Sequence, residues 1–322
     1  MKKLFSVLLV ALLLIVMGGC SNNEEEKPLT DPIKKVGIVQ LVKHDALDAA
    51  TQGFIDELEK EFSNIVIDSK VAGDASNCPV IVDGFVVDGY DLIMANATPA
   101  LQAAQSATIE IPIIGTSVTE YGVALGIDNF SGVTGINVSG TSDLAPLDEQ
   151  ANMIIDLIPN VKKVGIIYCS SEANSKYQVD VISDLLKAKG IEVDAQTFKG
   201  SDDIAGVLES LCAECDALYI PTDNQAASCA ETIANEVYKT KTPIICGEEG
   251  TCKYCGVATL TIDYYNLGVV TGKMAGKVLK GEAKIEEMEI SYDEQPVKKF
   301  NKEIAELCGI QIPSDYVEIV VE

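Results

Sequence analysis

A repeat roughly 128 residues long constrains the fold of this chain more than any other feature. Lys34-Lys35-Val36-Gly37-Ile38-Val39 returns as Lys162-Lys163-Val164-Gly165-Ile166-Ile167. Asp91-Leu92-Ile93-Met94 returns as Asp216-Ala217-Leu218-Tyr219, and Ile111-Pro112-Ile113-Ile114-Gly115 as Thr242-Pro243-Ile244-Ile245-Cys246. Three matches in one order at nearly one offset predict two similar lobes, the second entered after Gly140, because solenoid periods are far shorter. Within a copy, apolar runs alternate with amphipathic stretches. Val36 to Val39 reads as a buried strand, and Asp45 caps a helix whose Leu47, Ala50, Phe54, Leu58 and Phe62 share a face; Ile65-Val66-Ile67 is the next strand. Such alternation predicts parallel sheets with helices on both faces.

The start of the chain follows a different rule. Lys2 and Lys3 precede an apolar run from Leu4 to Met17 that is short for a bilayer core of about 30 Å. Val16-Met17-Gly18-Gly19-Cys20 resembles a bacterial lipobox. Residues 1–19 are therefore expected to be a lipoprotein signal peptide and Cys20 the lipidated first residue of the mature chain. Residues 20–33, with Glu24-Glu25-Glu26, are expected to be a tether. The expected location is extracytoplasmic, anchored by lipid to the outer face of a bacterial cell membrane.

Charge narrows the partners. The net charge is −25, and all 24 cationic residues are lysines, with neither Arg nor Trp present. Nucleic acid is excluded as a partner, since phosphate binding needs a basic face. Any ligand carboxylate must be held without the guanidinium fork, by hydroxyls, amides, Lys or helix N-termini.

Ligands of open α/β sheets sit at the carboxyl ends of the strands. In the first lobe those ends carry Gln40, His44, Leu47, Asn96, Thr98, Thr116 and Ser117. In the second they carry Ser171, Glu172, Asn174, Ser175, Thr222, Asp223, Asn224 and Glu248. Singly, such residues read equally well as helix caps. As a set converging from two lobes they read as a polar cleft.

The chain resembles a known family, the lipoprotein substrate-binding subunits of ABC importers related to the tryptophan- and tyrosine-binding proteins. The likeness is carried by Val36-Gly37-Ile38-Val39-Gln40, His44-Asp45-Ala46-Leu47-Asp48, Asn96-Ala97-Thr98-Pro99-Ala100 and the segment Gly135 to Asp143. Ser170 to Ser175, Pro221-Thr222-Asp223-Asn224, Gly247-Glu248-Glu249-Gly250 and Ile262-Asp263-Tyr264-Tyr265 add to it. The resemblance implies a type I periplasmic-binding-protein fold: two Rossmann-like lobes joined by a multi-segment hinge, closing on a ligand. Lobe 1 would take residues 34–140 and about 262–290, and lobe 2 residues 141–261 and about 291–322. It also implies delivery of an amino acid, most readily an aromatic one, to an ABC permease by a monomeric binding protein without catalysis. The chain departs from the family at Cys252-Lys253-Tyr254-Cys255, where a Gly-rich turn is common, and at Leu260-Thr261, where an aromatic-Gly pair is common.

For a bound amino acid, Ser171, Asn174, Ser175 or Thr98 would cradle the carboxylate. Asp223 is the first candidate for the ammonium and Glu172 the second, although Asp223 also reads as a helix cap before Ala226. Leu41, Leu47, Val118 and Tyr121 would form an apolar slot or simply core. A nucleoside or sugar ligand, or a sensing or adhesive surface role, are the alternative readings. The absence of stacking Trp lowers the sugar option. The pairs Cys212/Cys215 and Cys252/Cys255 match metal-ligand spacing only loosely, so packed thiols are expected rather than a metal. His44, the one histidine, follows the first strand and reads as a ligand contact or a solvated loop residue. Gly-rich phosphate loops are missing after both first strands, and no cofactor is expected.

Overall fold

The computed structural model describes residues 33–292 and 295–321. The expected signal peptide, Cys20 and the expected tether up to Pro32 lie outside the described residues. Among the described residues no helix is long and apolar enough to cross a membrane.

The chain alternates strand and helix from the start. β1 (Lys34–Gln40), α1 (Asp45–Glu61), β2 (Ile65–Val71), α2 (Cys78–Val87), β3 (Leu92–Asn96), α3 (Thr98–Ala107), β4 (Ile113–Val118), α4 (Tyr121–Leu125) and β5 (Val138–Ser142) build the first lobe. α5 (Leu147–Leu157), β6 (Lys163–Cys169), α6 (Ala173–Ala188), β7 (Glu192–Phe198), α7 (Ile204–Glu214) and β8 (Ala217–Ile220) open the second. It continues with α8 (Asn224–Ser228), α9 (Ala230–Thr240), β9 (Ile244–Cys246), α10 (Glu249–Cys255) and β10 (Ala258–Thr261). α11 (Tyr264–Leu279) and β11 (Ser291–Tyr292) then return to the first lobe, and β12 (Val297–Phe300), α12 (Lys302–Cys308) and β13 (Val317–Glu318) to the second.

Strand order shows the repeat directly. The first sheet runs β11-β5-β4-β3-β1-β2 and the second β13-β12-β10-β9-β8-β6-β7. Both contain the flavodoxin-like order 2-1-3-4-5, with every pair among those strands parallel. β12 joins β10 antiparallel. The crossovers fall a little later than the sequence suggests: β5 keeps residues to Ser142 in the first sheet, and β11 adds Ser291 and Tyr292 to it.

Both faces of each sheet are covered, so the strands carry continuous apolar runs rather than alternation. On β1, Val36 and Ile38 pack with Phe54, Leu58 and Met274 on one face, while Val39 packs with Phe85, Ile93 and Leu101 on the other. Burying each such side chain contributes about 1.5–3 kcal/mol. α1 and α11 cross so closely that glycine is required at the crossing. A Cβ on Gly268 would lie 2.0 Å from the Ala50 carbonyl oxygen, and one on Gly53 would lie 2.1 Å from that of Tyr265. His44, not Asp45, occupies the N-cap position of α1, without a capping side-chain hydrogen bond, and Asp45 is already helical.

Three segments cross between lobes: 143–146 after β5, Ile262–Asp263 after β10, and the link from β11 to β12. Each leaves a sheet at the carboxyl-end edge, so the polar strand ends of both lobes face the same interlobe region.

Candidate functional site

The site is best built strand by strand. In the first lobe, β3 and β4 end in backbone that few side chains adopt: Ala97 has φ 89° and Ser117 φ 52°. Strained non-glycine residues persist where the surroundings over-determine them, and they cluster at ligand sites. The Ala97 amide donates to the Thr116 carbonyl at 3.0 Å, and the Asp143 amide to the Val118 carbonyl at 3.4 Å. The start of α3, Ser117 and Asp143 therefore stand side by side along one sheet edge. Thr98 Oγ1, Ser117 Oγ, Asn96 Oδ1 and Asp143 Oδ1 are all buried there without a hydrogen-bond partner. A buried polar atom left unpaired is costly, and four on one edge mark a surface shaped for a polar guest.

The second lobe contributes less free capacity. Glu172 is 3% exposed and accepts from the Asn224 amide (3.1 Å), the Gln225 amide (2.9 Å), Asn224 Nδ2 (2.6 Å) and Asn174 Nδ2 (3.1 Å). Asp223 accepts from the Cys169 amide at 2.7 Å and, as the cap of α8, from the Ala226 amide at 2.8 Å. Burial pushes the carboxyls of both above the ordinary range, and the Asp223 charge adds to the rise at Glu172. With their oxygens committed to backbone amides, these acids hold the starts of α6 and α8 together. These bonds leave Asp223 and Glu172 less free to take a ligand ammonium than the sequence alone suggests. Asn174 Oδ1 at the start of α6 remains unpaired.

Several expected contacts are scaffold. Gln40 is used up inside the first lobe, donating to the Val42 carbonyl and Asp48 and accepting from Thr51. Thr116 shares hydroxyl contacts with Thr141 and Thr271. Leu47 lies in the apolar cluster with Leu41, Val118 and Tyr121, so all four proposed slot residues are core. Ser175 is fully buried beside Asp223. Ser171 is an exposed residue whose hydroxyl lies 3.2 Å from Cys169 Sγ.

Contacts between lobes gather at one rim and at the hinge. At the rim, His44 Nε2 lies 3.3 Å from Asn224 Oδ1, and Lys253 Nζ is 3.1 Å from Asp45 Oδ2. At the hinge, the Tyr264 hydroxyl donates to Asp143 Oδ2 at 3.1 Å and also engages Thr222. Glu248 caps α10 through the Gly250 and Thr251 amides, and its charge faces both Asp143 and Tyr264. Burial, reinforced by Glu248 against the hydrogen bonds from Thr119 and Tyr264, pushes the Asp143 carboxyl up to about 6. A cavity of about 440 Å³ beside the hinge is lined from both lobes by Asp45, Glu248, Lys253, Asp263 and Tyr264. Sequence reasoning missed Asp143 and Tyr264. Both lie in segments carrying the family likeness, but nothing in residue type alone separates Asp143 from the capping acids.

The thiols do not assemble as a four-cysteine site. Cys252 and Cys255 contact Cys246 in the second-lobe core, whereas Cys212 lies near Thr240 and Thr242, and Cys215 near Lys163. Among the described residues no group of three or more His, Cys, Asp or Glu is placed to hold a metal ion.

Two α/β lobes with facing polar strand ends and a three-segment hinge define a binding protein that closes on its ligand. The sequence matches the model for ABC transporter substrate binding proteins over residues 35–319, and the chain belongs to that family. It is 39% identical to a tyrosine-binding protein of Clostridioides difficile, over 82% of this chain and 80% of that one. A Streptococcus pneumoniae ABC domain in complex with L-Trp superposes with a TM-score of 0.85 at 32% identity, covering 90% of this chain and all of the other. A ligand-free, open structure of a Clostridium difficile substrate binding protein with adhesive properties gives a TM-score of 0.68 at 35% identity, again over 90% of this chain and all of the other.

Proposed function

We propose that this protein captures an aromatic amino acid, tyrosine or tryptophan first, between its lobes and delivers it to an ABC permease. It would do so as a monomer tethered to the outer face of the cell membrane through a lipid on Cys20. The observation that carries this reading is the row of unpaired buried polar atoms on the first-lobe sheet edge, held opposite the second lobe by contacts across the rim and hinge. The carboxylate fits at the start of α3. There the free amides of a ten-residue helix attract an anion, and Thr98 and Ser117 supply hydroxyls in place of the missing Arg. Asn174 and Asn224 face the cleft from the second lobe, while Gln40, Thr116, Ser175, Glu172 and Asp223 support it from behind.

Shape comparison places the fold nearer the ligand-bound relative than the open one. The open relative is the more similar of the two solved structures in sequence and the less similar in shape, whereas the L-Trp complex superposes better. Titration calorimetry of the mature protein with the twenty amino acids tests the proposal. Saturable binding of tyrosine or tryptophan is expected, and an absence of binding at millimolar concentration rejects it. The adhesive relative supports a second role at the cell surface; loss of host-cell attachment with unchanged amino-acid uptake in a deletion strain would favour it. Lipidation is tested by Cys20→Ala, which should release the protein from the membrane fraction.

A further inference from the structure

We propose that Asp143, held by Tyr264 and backed by Glu248, is the group that reads the positive charge of the ligand and makes lobe closure depend on it. This rests on the amino-acid reading above and names the part of that ligand the hinge recognises.

The geometry carries it in three steps. Asp143 is 4% exposed, Tyr264 occupies its Oδ2 at 3.1 Å, and its Oδ1 is buried without a partner. It is thus the one of the four deeply buried cleft acids with an unpaired oxygen; Glu172, Asp223 and Glu248 have spent theirs on backbone amides. The groups facing Asp143 are the hydroxyls of Thr119, Tyr121 and Tyr264 and the carboxylate of Glu248, with no lysine among them.

The second step is position. Asp143 begins the first hinge segment and Tyr264 follows the second, so their hydrogen bond ties two of the three crossings. Glu248 comes from the second lobe. Closing the lobes therefore brings two carboxylates toward one point, which like charges oppose. A ligand cation placed there converts that repulsion into attraction. A ligand can drive closure only through such differential contacts.

The third step is orientation. Asp143 adjoins Ser117, and Ser117 adjoins the start of α3. Asp143 follows β5 and α3 follows β3, with β4 between them. Two strand spacings, about 10 Å in all, therefore separate the two, a span that one zwitterion with a hydrogen bond at each end can bridge by setting its ammonium against Asp143 and its carboxylate against the helix start. The acidic hinge excludes the reverse orientation.

The test uses the mature protein with L-tyrosine and its desamino analogue, 3-(4-hydroxyphenyl)propionate, by titration calorimetry. Wild type should prefer L-tyrosine by 100-fold or more. In Asp143→Asn, which keeps the shape of the side chain, L-tyrosine should weaken by a similar factor while the analogue changes less than threefold, so the preference collapses. Retention of the full preference in Asp143→Asn overturns the proposal. Failure of wild type to bind either compound instead overturns the amino-acid reading. Should the variant not fold, a crystal structure of the wild-type complex decides. The α-nitrogen within hydrogen-bond distance of Asp143 Oδ1 supports the assignment, and a nitrogen placed elsewhere removes it.

Discussion

The two lobes treat buried carboxylates in opposite ways. In the second lobe, Glu172 and Asp223 sink into the start of α8 and give their oxygens to backbone amides of Cys169, Asn224, Gln225 and Ala226. On the first-lobe edge, Asp143 takes side-chain hydroxyls, Tyr264 at 3.1 Å and Thr119, and leaves Oδ1 unpaired. The strand ends descend from one repeated pattern, yet one set of acids fixes helix starts and the other waits for a partner. What separates scaffold from site is therefore the hydrogen-bond capacity that remains after folding, not residue type, burial or position at a strand end.

The largest effect expected from this contrast is on Asp223. Asp223→Ala strips acceptors from the Cys169 and Ala226 amides, whose residues are fully buried. Charge-assisted bonds of this kind contribute about 1.5–3 kcal/mol each. Urea unfolding at pH 7 should show a loss of about 3 kcal/mol or more. A stable variant that merely binds ligand weakly would return Asp223 to the ligand and erase the contrast.

Asp143→Asn should move stability the other way. Burial holds the native carboxyl up at about 6, against 3.8 for the free group. The native state therefore keeps its proton in a range where the unfolded chain has lost it. Relative to Asp143→Asn, unliganded wild type should match below pH 4, lose stability as pH rises from 4 to 6, and stay lower by up to roughly 3 kcal/mol above that, at about 1.4 kcal/mol per pH unit. Chemical unfolding of both proteins across pH 4–8 measures the difference and cancels the contributions of Glu172 and Asp223. A flat difference would mean that the Asp143 carboxyl is relieved by something other than ligand.

Much of the fold was legible because it was written twice. The strands starting at Lys34 and Lys163 and those around Leu92 and Leu218 repeat an apolar pattern that burial on both sheet faces demands. The site was legible only as a region. Thr98, Ser117, Asn174, Asn224, His44 and Glu248 were placed at the interlobe edge by the rule of strand ends. Gln40 and Thr116 obey the same rule and point inward, satisfied by Thr51 and Asp48 or by Thr141 and Thr271. Asp143 escaped notice because it follows the strand that leaves for the hinge, and its free oxygen is defined only by the three-dimensional neighbours that fail to reach it. Asp45 is likewise not the cap of α1: it lies inside the helix and its side chain pairs with Lys253 across the rim.

That rim pair gives the smallest expected effect and the sharpest check on where closure energy resides. Lys253 and Asp45 are 29% and 49% exposed, and such ion pairs contribute about 0.2–1 kcal/mol. Lys253 stands on α10 and Asp45 at the start of α1, so the pair joins the lobes at the rim rather than at the hinge segments. Lys253→Ala should speed ligand release by about two- to fivefold in stopped-flow measurements, leave the association rate nearly unchanged, and lose even that effect in high salt, where exposed charges are screened. Closure held mainly by Asp143 and the ligand predicts this small number. A release rate raised a hundredfold would shift the closing energy from the hinge to the rim, and the contrast between the two buried-acid clusters would no longer explain how the protein holds its ligand.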